Sequence, residues 1–394
     1  NVNETSTLGR SPLGIACAKG SIEVVDLMLQ NRADITVGDN QGVTPIIAAL
    51  SNGHVEVIKL LLANGADITV ANNQGVTPVL VASLSGHVAV VKLLLENGAD
   101  ITAAVGGGVT PVFAASFGGH VEVVKLLLEN GADITVAVGG GVTPVIAASL
   151  NGHVEVVKLL FENGADITVA DDDGWTPVIA ASLNGHIKVV KLLLENGADI
   201  TVAVGGGVTP VNAASSNGHV EVVKLLLENG ADITVTNNAG WTPVNAASDR
   251  GHVEVVKLLL ENGADITVAD NAGLTPVITA SLNGHAELVT LLLGVPHIDA
   301  SKPDDLGRTA LFFASRYGHY QAAQALLSEG RVNPDVRDWM GSTALVAAVA
   351  NGHLHVAKLL ITSGAAVEMQ GGVGQSLMWW ALRAGNTELI QLLM

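Results

Sequence analysis

Histidine is the residue type here with the widest chemical repertoire. Ten of the 12 histidines directly follow a glycine: His54, His87, His120, His153, His186, His219, His252, His285, His319 and His353. Imidazoles in such number suggest metal ligation, but their spacing argues against it. They recur every 33 or 34 residues. If each rides on its own packed helix, neighbours lie about 8–10 Å apart, whereas a metal–nitrogen bond is about 2 Å. The ladder reads as a series of loop braces. His353 and His355 form one His-x-His pair, the only other arrangement with ligand spacing. Three glycine runs (Gly106–Gly108, Gly139–Gly141, Gly205–Gly207) precede helix starts, as in a phosphate loop. No Gly-Lys-Ser/Thr follows and no βαβ strand precedes, so they read as slack hairpin tips. Asp171, Asp172 and Asp173 lack the EF-hand spacing and read as a solvated turn. Cys17, the single cysteine, falls where a small core residue belongs. No Ser/His/Asp or Cys/His set departs from the repeated pattern. The expectation is a chain with no catalytic residues, no cofactor and no metal.

The elements that carry these residues follow from a period. Thr-Pro occurs at Thr44, Thr77, Thr110, Thr143, Thr176, Thr209, Thr242 and Thr275, always 33 residues apart. Ser11 extends the series backward, and Thr309, Thr343 and Ser376 extend it forward. In residues 138–170, Thr143 is an N-cap, Pro144 suits the first helical turn, and a short helix runs to Leu150. Asn151 and Gly152 end it. A second helix spans about His153 to Glu162, with Val154, Val157, Leu160 and Phe161 on one stripe. Such short helices cannot bury their own apolar faces. Stacked copies can, so the chain reads as one linear array of helix-turn-helix units.

The composition agrees with a large apolar core: 48% of residues are hydrophobic and only 3% aromatic. With 37 acidic and 19 basic residues, the net charge is −18. Phosphate is repelled, so no nucleic acid and no anionic membrane surface is expected as a partner. No run of about 18 apolar residues suggests a membrane span. There is no visible secretory leader, and one cysteine fits a reducing, intracellular compartment.

The residues now match a family. Gly-x-Thr-Pro, Ala-Ala, Asn-Gly-His-Val-Glu-Val-Val-Lys-Leu-Leu-Leu and Gly-Ala-Asp, clean in Gly75–Asp100 and Gly141–Asp166, closely resemble the ankyrin repeat. The resemblance implies an all-α solenoid of stacked helix-turn-helix units with short β-hairpin or loop fingers, set at right angles and curved. It covers twelve approximate repeats in a single domain: 6–38, 39–71, 72–104, 105–137, 138–170, 171–203, 204–236, 237–269, 270–303, 304–337, 338–370 and an incomplete 371–394. The arrangement also resembles the arrays that end large NLR-like receptors of fungi. The chain departs from the family in two interior features. The histidine usual after Thr-Pro-Leu is replaced by Ile47, Leu80, Phe113, Ile146, Ile179, Asn212, Asn245 and Ile278, so its polar tie must be replaced or lost. The hairpin-tip aspartate, kept at Asp39, Asp171, Asp270, Asp304 and Asp338, becomes Val105, Val138 and Val204. Those tips should be floppier, since glycine loses most entropy on ordering.

Where copies agree, they build the framework; where they differ, they carry information. By resemblance, hairpin tips and first-helix ends line a concave groove that holds a protein or peptide. Reading those positions selects Val76, Leu84, Val109, Phe117, Val142, Leu150, Trp175, Leu183, Trp241, Asp249, Arg250, Leu282, Arg308, Arg316, Tyr317 and Trp339. Leu84, Phe117, Leu150 and Leu183 form an apolar stripe, which either exceeds the apolar area a monomer ordinarily exposes or completes the core. The last repeat crowds Met378, Trp379, Trp380, Leu389, Ile390, Leu392, Leu393 and Met394 together. That suggests either continuation of the chain or end-to-end self-association. The expected role is a non-catalytic interaction scaffold, set against two rivals: a substrate-targeting arm of an enzyme and a spacer.

Overall fold

Each repeat begins with a Thr or Ser whose extended backbone is followed by Pro, or by Ala or Leu in the last three repeats. The first helix starts there. The computed structural model describes residues 2–296, 298–328, 330, 332–368 and 374–394. Among them are twenty-four helices of seven to nine residues, two per repeat. No extended sheet forms among the described residues; the fingers contribute isolated antiparallel bridges, Val105 with Val109 and Val138 with Val142.

In the repeat read above, the helices are Pro144–Leu150 and Val154–Glu162. The Thr143 hydroxyl makes no capping bond. Its carbonyl accepts the Ala147 N–H at 3.0 Å, and proline pre-sets the first turn, so the start holds without the side chain. Side-chain caps do form at Ser11, Thr110, Thr209, Thr242, Thr309, Thr343 and Ser376. The turn closes through Gly152 at φ +77°, a left-handed conformation that costs glycine little.

Burial is asymmetric. The first helix buries Val145, Ile146, Ala147, Ala148 and Ser149, nearly all round. The second buries only Val156, Val157 and Leu160. The stripe therefore differs from expectation: Phe161 points outward, 36% exposed, and Val154 is half-buried. First helices are clasped by both neighbours, while second helices cover one side only. Lys158 and Glu162 pair across that outer face at 4.0 Å, an exposed contact of little energetic weight.

The chain folds as two compact units, Asn1–Ala181 with Lys188–Asp199, and Ser182–Ile187 with Ile200–Met394. In the first unit, Pro111–Phe117 packs on Pro78–Leu84 and Pro144–Leu150. In the second, Ala310–Arg316 packs on Pro276–Leu282 and Ala344–Ala350. Within each unit the core is thus a row of first helices touching in sequence.

One register position of that core is polar and yet dry. Ser83, Ser116, Ser149, Ser182, Ser215, Ser248, Ser281 and Ser315 are all fully buried, and their hydroxyls meet no hydrogen-bond partner. Three other repeats put Cys17, Leu50 or Val349 there, equally buried, whereas Leu382 in the last repeat is 60% exposed. An unpaired buried hydroxyl costs about 1–3 kcal/mol. Ser149→Ala is expected to raise the unfolding free energy by about 1 kcal/mol, read from urea unfolding; a loss would show that the hydroxyl is satisfied after all.

Candidate partner-binding face

The face is built from fingers on one wall and first-helix ends on the other. Finger shape comes from the tip residue. The Asp39 Oδ1 accepts the Gln41 and Val43 N–H groups at 2.9 and 3.0 Å. Asp171 clamps Asp173 and Trp175 in the same way, so the acidic triplet is a self-capped turn. Asn72 and Asn237 substitute for Asp without loss of the clamp. Val105, Val138 and Val204 have no such oxygen. Those tips keep backbone bonds alone, for example Val138 N–H to the Val142 carbonyl and Gly141 N–H to the Val138 carbonyl, both at 2.9 Å. Successive tips are tied as well: Asn73 N–H donates to the Gln41 carbonyl, and Asp172 N–H to the Gly140 carbonyl.

The histidines position the helix ends. Nε2 of His120 lies 2.9 Å from the Leu84 carbonyl oxygen of the preceding repeat, and that of His153 lies 3.0 Å from the Phe117 carbonyl. His54, His87, His219, His252, His285, His319 and His353 make the same bond one repeat back. The braces thus hold the backbone at the ends of the first helices, Leu84 and Phe117 among them. Among the described residues no three His, Cys, Asp or Glu side chains converge as a metal site. Burial pushes the Cys17 thiol up to about 12, so it stays protonated.

In the first unit these walls enclose an apolar hollow of about 410 Å³. Val76 and Val109 line it from the fingers, Leu84 and Phe117 from the helix ends. Four of the residues selected from sequence therefore meet. Leu84 and Phe117 are 52% and 46% exposed, whereas Leu150 of the same unit is half-buried; Leu183 belongs to the second unit and is half-buried there. Leu80, Val105 and Phe113 also line the hollow, and the sequence selection missed them. Their signal was present: Leu80 and Phe113 occupy the position of the family's histidine, and Val105 replaces a tip aspartate. Val142 and Trp175 are half-buried on fingers of this unit. A second hollow of about 380 Å³ lies between Ile15 and Lys19 on one wall and Val37 and Val43 on the other.

In the second unit the corresponding positions of fingers and first-helix ends mix polar, aromatic and apolar residues. The Trp241 Nε1–H donates to Asp270 at 3.0 Å, which ties the ring to the fingertip of the next repeat. Asn212 and Asn245 take over the lost histidine tie with long bonds to the Val235 and Val268 carbonyls. Leu282 is half-buried. Arg308 is committed internally: its NH2 group lies 2.6 Å from the fully buried Asp304 carboxylate, and its guanidinium sits over Phe313. Asp249 pairs with Arg250 at 3.4 Å. Arg316 lies over Tyr317, itself 49% exposed, and Trp339 is 69% exposed on its fingertip.

A third ladder is acidic. Asp34, Asp67, Asp100, Asp133, Asp166, Asp232 and Asp265 each accept the hydroxyl and then the N–H of the threonine two residues on. Those bonds hold each carboxyl below its ordinary value. Because the folded value lies below the unfolded one, the stabilisation is present above the unfolded value and is lost as pH falls through the folded one. Burial lowers the His252 imidazole, which acts in the same direction from its ordinary value downward. The melting temperature is expected to be flat near neutrality and to fall below about pH 4. A variant with the seven threonines changed to Val should lose less between about pH 5 and pH 3; an unchanged pH profile would contradict the assignment.

No helix among the described residues is long and apolar enough to cross a membrane. A family model described as ankyrin repeats (3 copies) matches residues 1–72, 70–138, 113–204, 203–270, 267–338 and 331–394. A search for similar proteins of curated function finds no match.

Proposed function

Because the chain belongs to the ankyrin-repeat family, whose repeats are generally protein-interaction modules, we propose that this array is a non-catalytic scaffold. It holds a protein or peptide against the face between its fingers and first-helix ends, as the recognition region of a larger intracellular receptor or signalling protein. The observation that carries the reading is the apolar hollow under Val76, Leu84, Val109 and Phe117, which leaves a leucine and a phenylalanine about half exposed at positions fixed by histidine braces. A large apolar side chain of a partner fits that chemistry.

Magnitudes set its share. Burying the exposed half of Leu84 and of Phe117 contributes about 0.7–1.5 kcal/mol each, against an association cost of about 4–15 kcal/mol. The hollow therefore anchors a partner only together with further contacts; in the second unit by itself, the exposed Tyr317 and Trp339 are of the residue types that anchor partners. The experiment is a double variant, Leu84→Ser with Phe117→Ser. Both side chains already face solvent, so the melting temperature should move little while captured partner is lost. Retained partner together with a large fall in melting temperature would make the stripe core and overturn the proposal.

A further inference from the structure

Arginine is distributed unlike every other charge in this chain. None occurs between Arg32 and Arg250, and six of the eight lie from Arg250 onward. The last 125 residues carry seven basic and ten acidic side chains, against 12 and 27 in the first 269. Within the second unit, Arg316 ends the helix Ala310–Arg316, at the register that Leu84 and Phe117 occupy in the first unit. Arg383 holds the same register in Leu377–Ala384, and Arg250 sits one residue further along in Pro243–Arg250. All three are exposed. Arg316 lies over Tyr317, and Arg383 lies 5.4 and 5.8 Å from the Trp379 and Trp380 ring centres. A guanidinium stacked on an aromatic face is pre-oriented for a planar carboxylate.

The geometry points to an extended acidic peptide segment as the occupant of this stretch, with carboxylates at a defined spacing. This deepens the scaffold reading and rests on it. The three arginines fall on every second repeat, with Leu282 and Ala350 at the equivalent position between them. Stacked first helices sit about 8–10 Å apart, so successive arginines are about 16–20 Å apart. An extended chain advances about 3.3 Å per residue, which separates the matching carboxylates by about five or six residues. The peptide's intervening side chains meet the apolar positions. Asp249, 3.4 Å from Arg250, and the fingertip Asp305 and Asp338 interleave negative charge, which disfavours the continuous phosphates of a nucleic acid and tolerates sparse carboxylates.

The test uses the full chain and fluorescent synthetic peptides of about a dozen residues, read by anisotropy. One peptide carries three glutamates about five residues apart; a second has the same composition with the glutamates contiguous; a third replaces them with glutamine; a thymidine oligonucleotide is the polyanion control. The spaced peptide should bind at least about tenfold tighter than the contiguous one, and Arg316→Gln with Arg383→Gln should abolish the difference without moving the melting temperature. Leu84→Ser with Phe117→Ser should leave it intact, so failure of the apolar hollow is read separately. Equal affinity for spaced and contiguous glutamates, tighter binding of the oligonucleotide, or a preference that survives the arginine variants would overturn the assignment.

Discussion

Ala115→Asp is expected to lower the unfolding free energy by about 3–5 kcal/mol. Ala115 is fully buried in Pro111–Phe117, with Ala82 and Ala148 equally buried at the same register in the neighbouring first helices. A carboxylate there leaves water without a countercharge. It would hold its proton instead, so its folded pKa rises above the unfolded one. The penalty is then absent below the unfolded value and grows as pH rises through it toward the folded one. The deficit relative to the parent chain should be smallest near about pH 4 and largest near neutrality. Because repeats depend on their neighbours, the damage should spread to the repeats on either side, read as lost hydrogen-exchange protection there. A deficit below about 1 kcal/mol at neutral pH would mean that the first helices are not the core.

Gly119→Ala is expected to cost about 1.5–3.5 kcal/mol and to disturb the site at the same time. Gly119 has φ +75°, where a Cβ is strained, and that Cβ would collide with the His153 ring. The ring must swing away from the Phe117 carbonyl that it holds at 3.0 Å. A left-handed non-glycine residue costs about 1–2 kcal/mol, and a lost hydrogen bond adds about 0.5–1.5 kcal/mol. Urea unfolding reads the sum. The end of Pro111–Phe117 should fray, so partner retention should weaken more than at Gly131→Ala. Gly131 has a similar φ, +84°, but a Cβ there meets nothing. Equal effects of the two variants on retention would show that the histidine brace does not position the site.

The period, the family and the helix pairing were legible because eight Thr-Pro pairs repeat the same instruction. Local capping was legible in position but not in detail: Thr143 starts its helix without using its hydroxyl. Which flank of the second helix is buried was misjudged at Phe161, because helical spacing defines a stripe and not its centre; the neighbouring repeat decides that. The histidines were readable as braces, yet their partners were not. A carbonyl 36 or 37 residues away leaves no mark in local sequence. At the site, Leu84 and Phe117 stood out as apolar exceptions, whereas Leu80 and Phe113, standing where the family has a histidine, read only as a lost polar tie and not as lining of the hollow. Arg308 illustrates the opposite error of scale: its register is that of a binding residue, but a buried Asp304 four residues earlier claims its guanidinium.

The central claim is that partners are held by the residues in which the repeats differ, on the face between fingers and first-helix ends. Placing a photo-crosslinking amino acid at Phe117, and separately at the exposed Lys125 on Val121–Glu129, tests it in the full chain. The account predicts protein adducts from position 117 that disappear when Leu84→Ser is added, and none of comparable yield from position 125. Adducts that form chiefly from position 125, or that persist unchanged with Leu84→Ser, would contradict it.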